Sequence, residues 1–182
     1  MKTKNLALTA MFTALTMVLG PLVIVLPFTP IPITLALIPI YLCGALLPKK
    51  NAFSALIVYL LLGCAGLPIF SQFRGGLGVL FGPTGGFLLA YPVMAFAIAL
   101  LLEKLPQQRL YSLVIAFVTG LIICYAFGCL MFMAVAHADL AKALTLTVIP
   151  FIPLDLAKVA FAAVAALALK KALYHAKLLP LT

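Results

Sequence analysis

Long apolar runs separated by short polar breaks dominate the chain, and the spacing of the breaks predicts its elements. No charged residue stands between Lys4 and Lys49. One helix needs only about 20 apolar residues to cross a bilayer, so that stretch holds more than one span. A first helix is expected from about Asn5 to Leu26, kinked at Gly20-Pro21, because proline lacks an amide donor and crowds the preceding turn. The next segment, PFTPIPIT at residues 27–34, carries three prolines and reads as a stiff, extended, uncharged connector. Further spans are expected at about 33–47, 52–65, 83–102, 110–135 and 153–170. The spans at 33–47 and 52–65 are short for a full crossing. With no internal repeat and no soluble domain, the expected fold class is an all-α integral membrane protein: one domain over residues 1–182, a bundle of six transmembrane helices.

Composition strengthens this picture. Hydrophobic residues make up 66% of the chain and charged residues 8%, against roughly 25% charged in soluble domains. The net charge of +9 would fit nucleic acid, but its placement argues for topology instead. Lys2, Lys4, Lys49, Lys50, Lys104, Arg109, Lys170, Lys171 and Lys177 fall on one side of a six-span arrangement, and only Arg74 and Lys142 on the other. By the positive-inside rule both termini are expected in the cytoplasm, in a multi-pass protein of the cell membrane. The run Leu6 to Leu26 exceeds the roughly 7–15 residues of a secretory leader's apolar core and reads as a retained helix. Cys43, Cys64, Cys124 and Cys129 form no CxxC pair, which argues against a zinc site or a disulfide framework. They read as small packing residues.

On that topology three irregular connectors share the outer face: PFTPIPIT, the stretch GLPIFSQFRGGLGVLFGPTGGF at 66–87, and the segment before Pro153. Irregular backbone at membrane depth is tolerated where protein covers it or it lines a wet cavity, so the connectors are expected to fold over a pocket. The stretch 66–87 holds seven glycines, which allow close backbone approach to a ligand. Its Arg74 is either a ligand partner or a solvated loop charge, and the pattern alone leaves both open.

The strongest constellation is PFIPLDLAKVAFA, residues 150–162. Asp155 and Lys158 are three apart at the start of the last helix and share a face. Ionisable groups within an apolar helix are costly and by default mark function. The alternative is structural: Asp155 favoured by the positive end of the helix, Lys158 pairing with it or reaching for the surface. As a site, the pair offers a carboxylate acceptor and a cationic donor, which suits a polar head such as a cyclic urea. The outward N-termini of the fourth and sixth helices favour an anion, so a ligand carboxylate also fits.

Other chemistry finds little material. GPTGG lacks the Gly-Lys-Ser/Thr ending of a P-loop, and Gly76-Leu77-Gly78 is followed by Phe81 where a dinucleotide fingerprint has glycine. His137 and Asp139 have no third partner for a metal or catalytic site, and three acidic residues in all leave no basis for paired-carboxylate catalysis. No catalytic residue, metal or cofactor is expected. On the first helix Ala7, Ala10 and Ala14 share a face, a small-residue pattern that permits close helix approach, whether within the chain or to a partner.

The order PFTPIPIT, GLPIF with RGGLGVLFGPTGGF, and PFIPLDLAK closely resembles the BioY family, the biotin-specific substrate-binding (S) components of energy-coupling factor (ECF) transporters, over essentially the whole chain. The resemblance implies a six-helix protein that captures biotin at the outer face and hydrolyses nothing itself. It implies a transmembrane coupling (T) protein and two ATP-binding subunits as partners, with ATP bound only by the latter. Asp155 and Lys158 are then the polar pair that contacts biotin. Phe70, Gln72, Arg74, Gly75 and Gly76, with Gly82, Thr84, Gly85 and Gly86, form the rest of the wall. Ala10 and Ala14 resemble the AxxxA motif that meets the T protein. The alternatives within this architecture are an S component for another small vitamin, or a biotin transporter working alone. From other classes, an intramembrane enzyme lacks a nucleophile and base, and a purely structural subunit would need neither Lys158 nor the glycine stretch.

Overall fold

A computed structural model describes residues 2–25, 27, 29, 31–106 and 109–175; Lys177 of the charge count and Leu26, Phe28 and Pro30 near the first connector lie outside these. The described chain is mostly helical. Helix α1 (Lys2–Leu19) stops where a kink was expected. Gly20 is wedged against other segments: a Cβ there would sit 2.7 Å from the Ile69 carbonyl oxygen and 2.8 Å from the Tyr59 hydroxyl. With Pro21 next, the chain leaves the helix and enters β1 (Val23–Ile24), which pairs antiparallel with β2 (Ile33–Thr34). The proline-rich connector is thereby tied back on itself as a small ribbon.

Helix α2 (Leu37–Leu46) is short and buried at nine of its ten positions. Helix α3 (Lys49–Cys64) follows after Pro48. After it come a 3₁₀ turn at Ser71–Phe73 and the single turn α4 (Leu77–Leu80). Then α5 (Gly85–Leu102), α6 (Leu110–Ala136), α7 (Leu140–Thr147) and α8 (Ile152–His175) complete the order. Among the described residues three helices are long and apolar enough to cross a membrane: Gly85–Leu102, Leu110–Ala136 and Ile152–Leu173. Helix α7 occupies what the sequence reads as an irregular connector.

The core forms where α2 packs among α1, α3, α5 and α8, and where α5 packs along α6. Small residues bring these helices close: a Cβ on Gly44 would lie 2.8 Å from Ile98, and one on Gly120 would lie 2.7 Å from the same side chain. The Tyr41 and Phe117 rings stack with centroids 4.9 Å apart. Without a hydrophobic driving force between helices in lipid, such close packing is the main source of association. Ile122, Leu130, Phe161 and Val164 instead face outward, more than 60% exposed on α6 and α8, as residues meeting acyl chains would.

At one end of the bundle, Lys49 at the start of α3 pairs with Glu103 at the end of α5 (2.7 Å), and Asn51 donates to the Thr9 hydroxyl (3.2 Å). The α2–α3 and α5–α6 connections therefore meet there. The β-ribbon, the 3₁₀ turn and α7 gather at the cavity described next.

Candidate ligand-binding site

The start of α8 creates the polar centre. The Phe151 amide bonds to the Val148 carbonyl, and Pro153 falls in the first turn, where its missing donor costs nothing. Two residues on, the Asp155 amide bonds to the Phe151 carbonyl at 2.8 Å, which sets the carboxylate in the first turn near the positive end of the helix. One turn later Lys158 donates to Asp155 Oδ1 at 2.8 Å. The Tyr125 hydroxyl of α6 donates to the other oxygen, Oδ2, at 2.7 Å. The two charged side chains are 10% and 5% exposed, so the ion pair is nearly desolvated and the tyrosine helps offset that cost. Carboxylate oxygens have about four lone-pair sites and an ammonium three protons, so the triad keeps unused capacity on both signs.

This triad lines a cleft that, with its open mouth, encloses about 530 Å³ of non-atom space. The ribbon contributes Ile31, Pro32, Ile33 and Thr34, and α2 contributes Leu37. Ser71 and Thr84 come from the glycine-rich stretch, Phe87, Leu88 and Tyr91 from α5, and Cys124 from α6. Thr147 ends α7, and Phe151 closes the wall beside the triad. The ribbon is held over this space by Thr29, whose hydroxyl donates to the Leu146 carbonyl of α7 at 2.7 Å and accepts from the Ile31 amide at 3.2 Å. The result is an apolar slot with a few polar groups, an arrangement that can bind a mostly apolar solute with a neutral, hydrogen-bonding head.

Of the residues singled out in the sequence, Asp155, Lys158 and Thr84 meet at this cavity. Phe70 is fully buried and stands edge-on to Tyr59, with ring centroids 5.6 Å apart. Its amide bonds to the Arg74 carbonyl at 2.9 Å and closes the intervening turn. Gln72 and Arg74 are exposed on that turn, Arg74 donating to the Gln72 side-chain oxygen at 3.3 Å. Within this turn the left-handed positions are Gln72 (φ 62°) and Phe73 (φ 57°), neither of them glycine, so the turn stores strain. Gly76 (φ 93°) donates to the Gly63 carbonyl at 2.7 Å. Gly75 lies on the Leu67 carbonyl, Gly85 on the Leu80 backbone and Gly86 on the Phe127 backbone, while Gly82 abuts Val79. These glycines bring the chain close to itself, and none lines the cavity.

His137 caps α6 in left-handed conformation (φ 48°) and Asp139 precedes α7, both exposed and away from the cavity lining. No group of three His, Cys, Asp or Glu side chains poised for a metal occurs among the described residues. Ala7, Ala10 and Ala14 are exposed along α1, so their face is not consumed by packing within the chain. Tyr125 and Thr147 escape a sequence reading, because nothing in their spacing signals which way α6 and α7 turn.

An apolar helical protein with a partly covered cavity and a buried ion pair in its wall is a membrane protein built to hold a small molecule. The chain belongs to the BioY family, whose description matches residues 1–175. It is 40% identical over 168 residues to the biotin transporter BioY of Thermotoga maritima, covering 92% of this chain and 96% of that one. It is 35% identical over 174 residues to the biotin transporter BioY2 of Lactococcus lactis subsp. cremoris, covering 96% and 94%. Its fold superposes on the 2.1 Å crystal structure of the S-component for biotin from an ECF-type ABC transporter with a TM-score of 0.88, at 29% identity, over 93% of this chain and 92% of that one.

Proposed function

We propose that this protein binds biotin and carries it into the cell as the S component of an ECF-type transporter. The observation that carries the reading is the Tyr125–Asp155–Lys158 triad in the wall of an otherwise apolar cavity. A ureido head has N–H groups for the carboxylate and a carbonyl for the ammonium, and needs no net charge from the site. Ile31, Ile33, Leu37, Phe87 and Phe151 supply apolar surface for the fused rings and tail. Phe70, Gln72, Gly75, Gly76, Gly82, Gly85 and Gly86 act from behind this wall, shaping the stretch that presents Ser71 and Thr84. Arg74, on the same turn as Ser71, meets the ligand carboxylate when the turn moves inward.

On this reading the protein uses no cofactor and catalyses nothing. A T protein and two ATP-binding subunits power transport, and the exposed Ala10 and Ala14 face on α1 is where the T protein docks, a use supported by its exposure. Six spans in the plasma membrane, with both termini cytoplasmic, complete the proposal; the shared end of Lys49 and Glu103 supports it by joining two of the connections assigned to that side. Titration of the purified protein with labelled biotin tests the reading. Saturable binding displaced by unlabelled biotin and by no other vitamin is expected, and absence of binding at micromolar ligand overturns it.

A further inference from the structure

Thr147, the last residue of α7, is 1% exposed, and its hydroxyl has no hydrogen-bond partner among the described residues. Its neighbours in kind behave differently. Thr9, Thr13, Thr16, Thr119 and Thr145 each donate to the carbonyl four residues back along their helix. Thr147 makes no such bond to Ala143. The Tyr41 and Ser112 hydroxyls are also buried and unpaired, but neither residue lines the cavity, and Thr147 does.

A buried hydroxyl without a partner costs free energy that a hydrogen bond ordinarily offsets. Here the cost is borne at the wall of the site, on an element separate from the ion pair of α8. We propose that Thr147 is a specificity-determining residue whose hydroxyl hydrogen-bonds an uncharged polar atom of the ligand head. Because the penalty is already present in the free protein, the bond to ligand contributes to affinity nearly undiminished. A site that commits a buried polar group to its ligand also rejects analogues lacking the matching atom, since the group stays unpaired with them. Thr147 thus fixes the head from α7 while Asp155 and Lys158 fix it from α8.

The inference rests on the biotin-binding reading, and wild-type protein titrated with biotin is therefore the first measurement. Thr147→Val keeps the shape and removes the hydroxyl; it should weaken biotin binding about tenfold while leaving thermal stability without ligand equal or higher. Thr147→Ser restores the hydroxyl and should bind within about threefold of wild type. If wild type binds biotin and Thr147→Val binds it equally well, the inference is overturned and the reading stands. If affinity falls together with ligand-free stability and serine does not rescue it, Thr147 serves packing and the inference is overturned. Wild type that fails to bind biotin removes both.

Discussion

Around Gly44, Gly120 and Ile98 the helices pack so closely that the Ile98 side chain fills the space a Cβ would need, whereas around Asp155 they stand apart and the gap is roofed by a two-stranded ribbon, a strained turn and the short helix α7. The first region is apolar and closely packed. The second holds a desolvated ion pair and an unpaired hydroxyl in its wall. The contrast teaches a division of labour: small residues in the packed region let regular helices associate in lipid, and that rigidity allows costly polar groups to be kept in place at the other end.

Substitutions at the two regions should therefore separate binding from stability. The largest effect is expected from Lys158→Ala, which leaves the Asp155 carboxylate buried with Tyr125 as its remaining side-chain partner among the described residues. The variant loses the ammonium's charge-assisted bond to the ligand head, worth up to about 3 kcal/mol, so biotin affinity in calorimetry should fall roughly 100-fold, and the unpaired carboxylate should lower stability as well. Affinity close to wild type would show that the pair is structural. In the packed region, Gly44→Val pushes new atoms into Ile98 and the Ala95 carbonyl. It should cost about 1–3 kcal/mol of stability, read as a lower unfolding temperature in detergent, while the folded fraction binds normally. A selective loss of affinity there would break the comparison.

Tyr125→Phe should come next. It removes one charge-assisted bond to the buried Asp155 carboxylate and should weaken binding by about 2 kcal/mol, with a lower unfolding temperature because that bond also offsets the carboxylate's desolvation. The smallest effect belongs to Glu103→Gln, which dissolves the exposed Lys49 pair at the far end of the bundle. Less than about 1 kcal/mol of stability and no change in biotin affinity are expected.

How legible these regions are in the sequence follows from the same contrast. Asp155 and Lys158 stand out because charge inside an apolar helix is rare enough to be its own signal. Tyr125 does not, since its importance depends on the register of α6 against α8, a tertiary fact. Helix α7 is hidden because the residues around it, His137, Asp139 and Lys142, look like loop. The glycines of 66–87 mark irregular backbone at Gly66 and Gly76, which are left-handed, yet Gln72 and Phe73 are left-handed as well and carry no such signal. Glycine count signals close approach without saying whether a ligand or the chain itself does the approaching. Gly20-Pro21 reads as a kink, but the contacts at Gly20 with Ile69 and Tyr59, remote in sequence, make it an end.

The placement of Asp155 and Lys158 one turn apart on a single helix has an electrical consequence. Moving one elementary charge through a membrane potential changes its energy by about 2.3 kcal/mol per 100 mV. Opposite charges one turn apart on the same helix travel together, so displacement of the pair carries a dipole and almost no net charge. The pair therefore couples only weakly to the voltage across the membrane, although each of its charges alone would couple strongly.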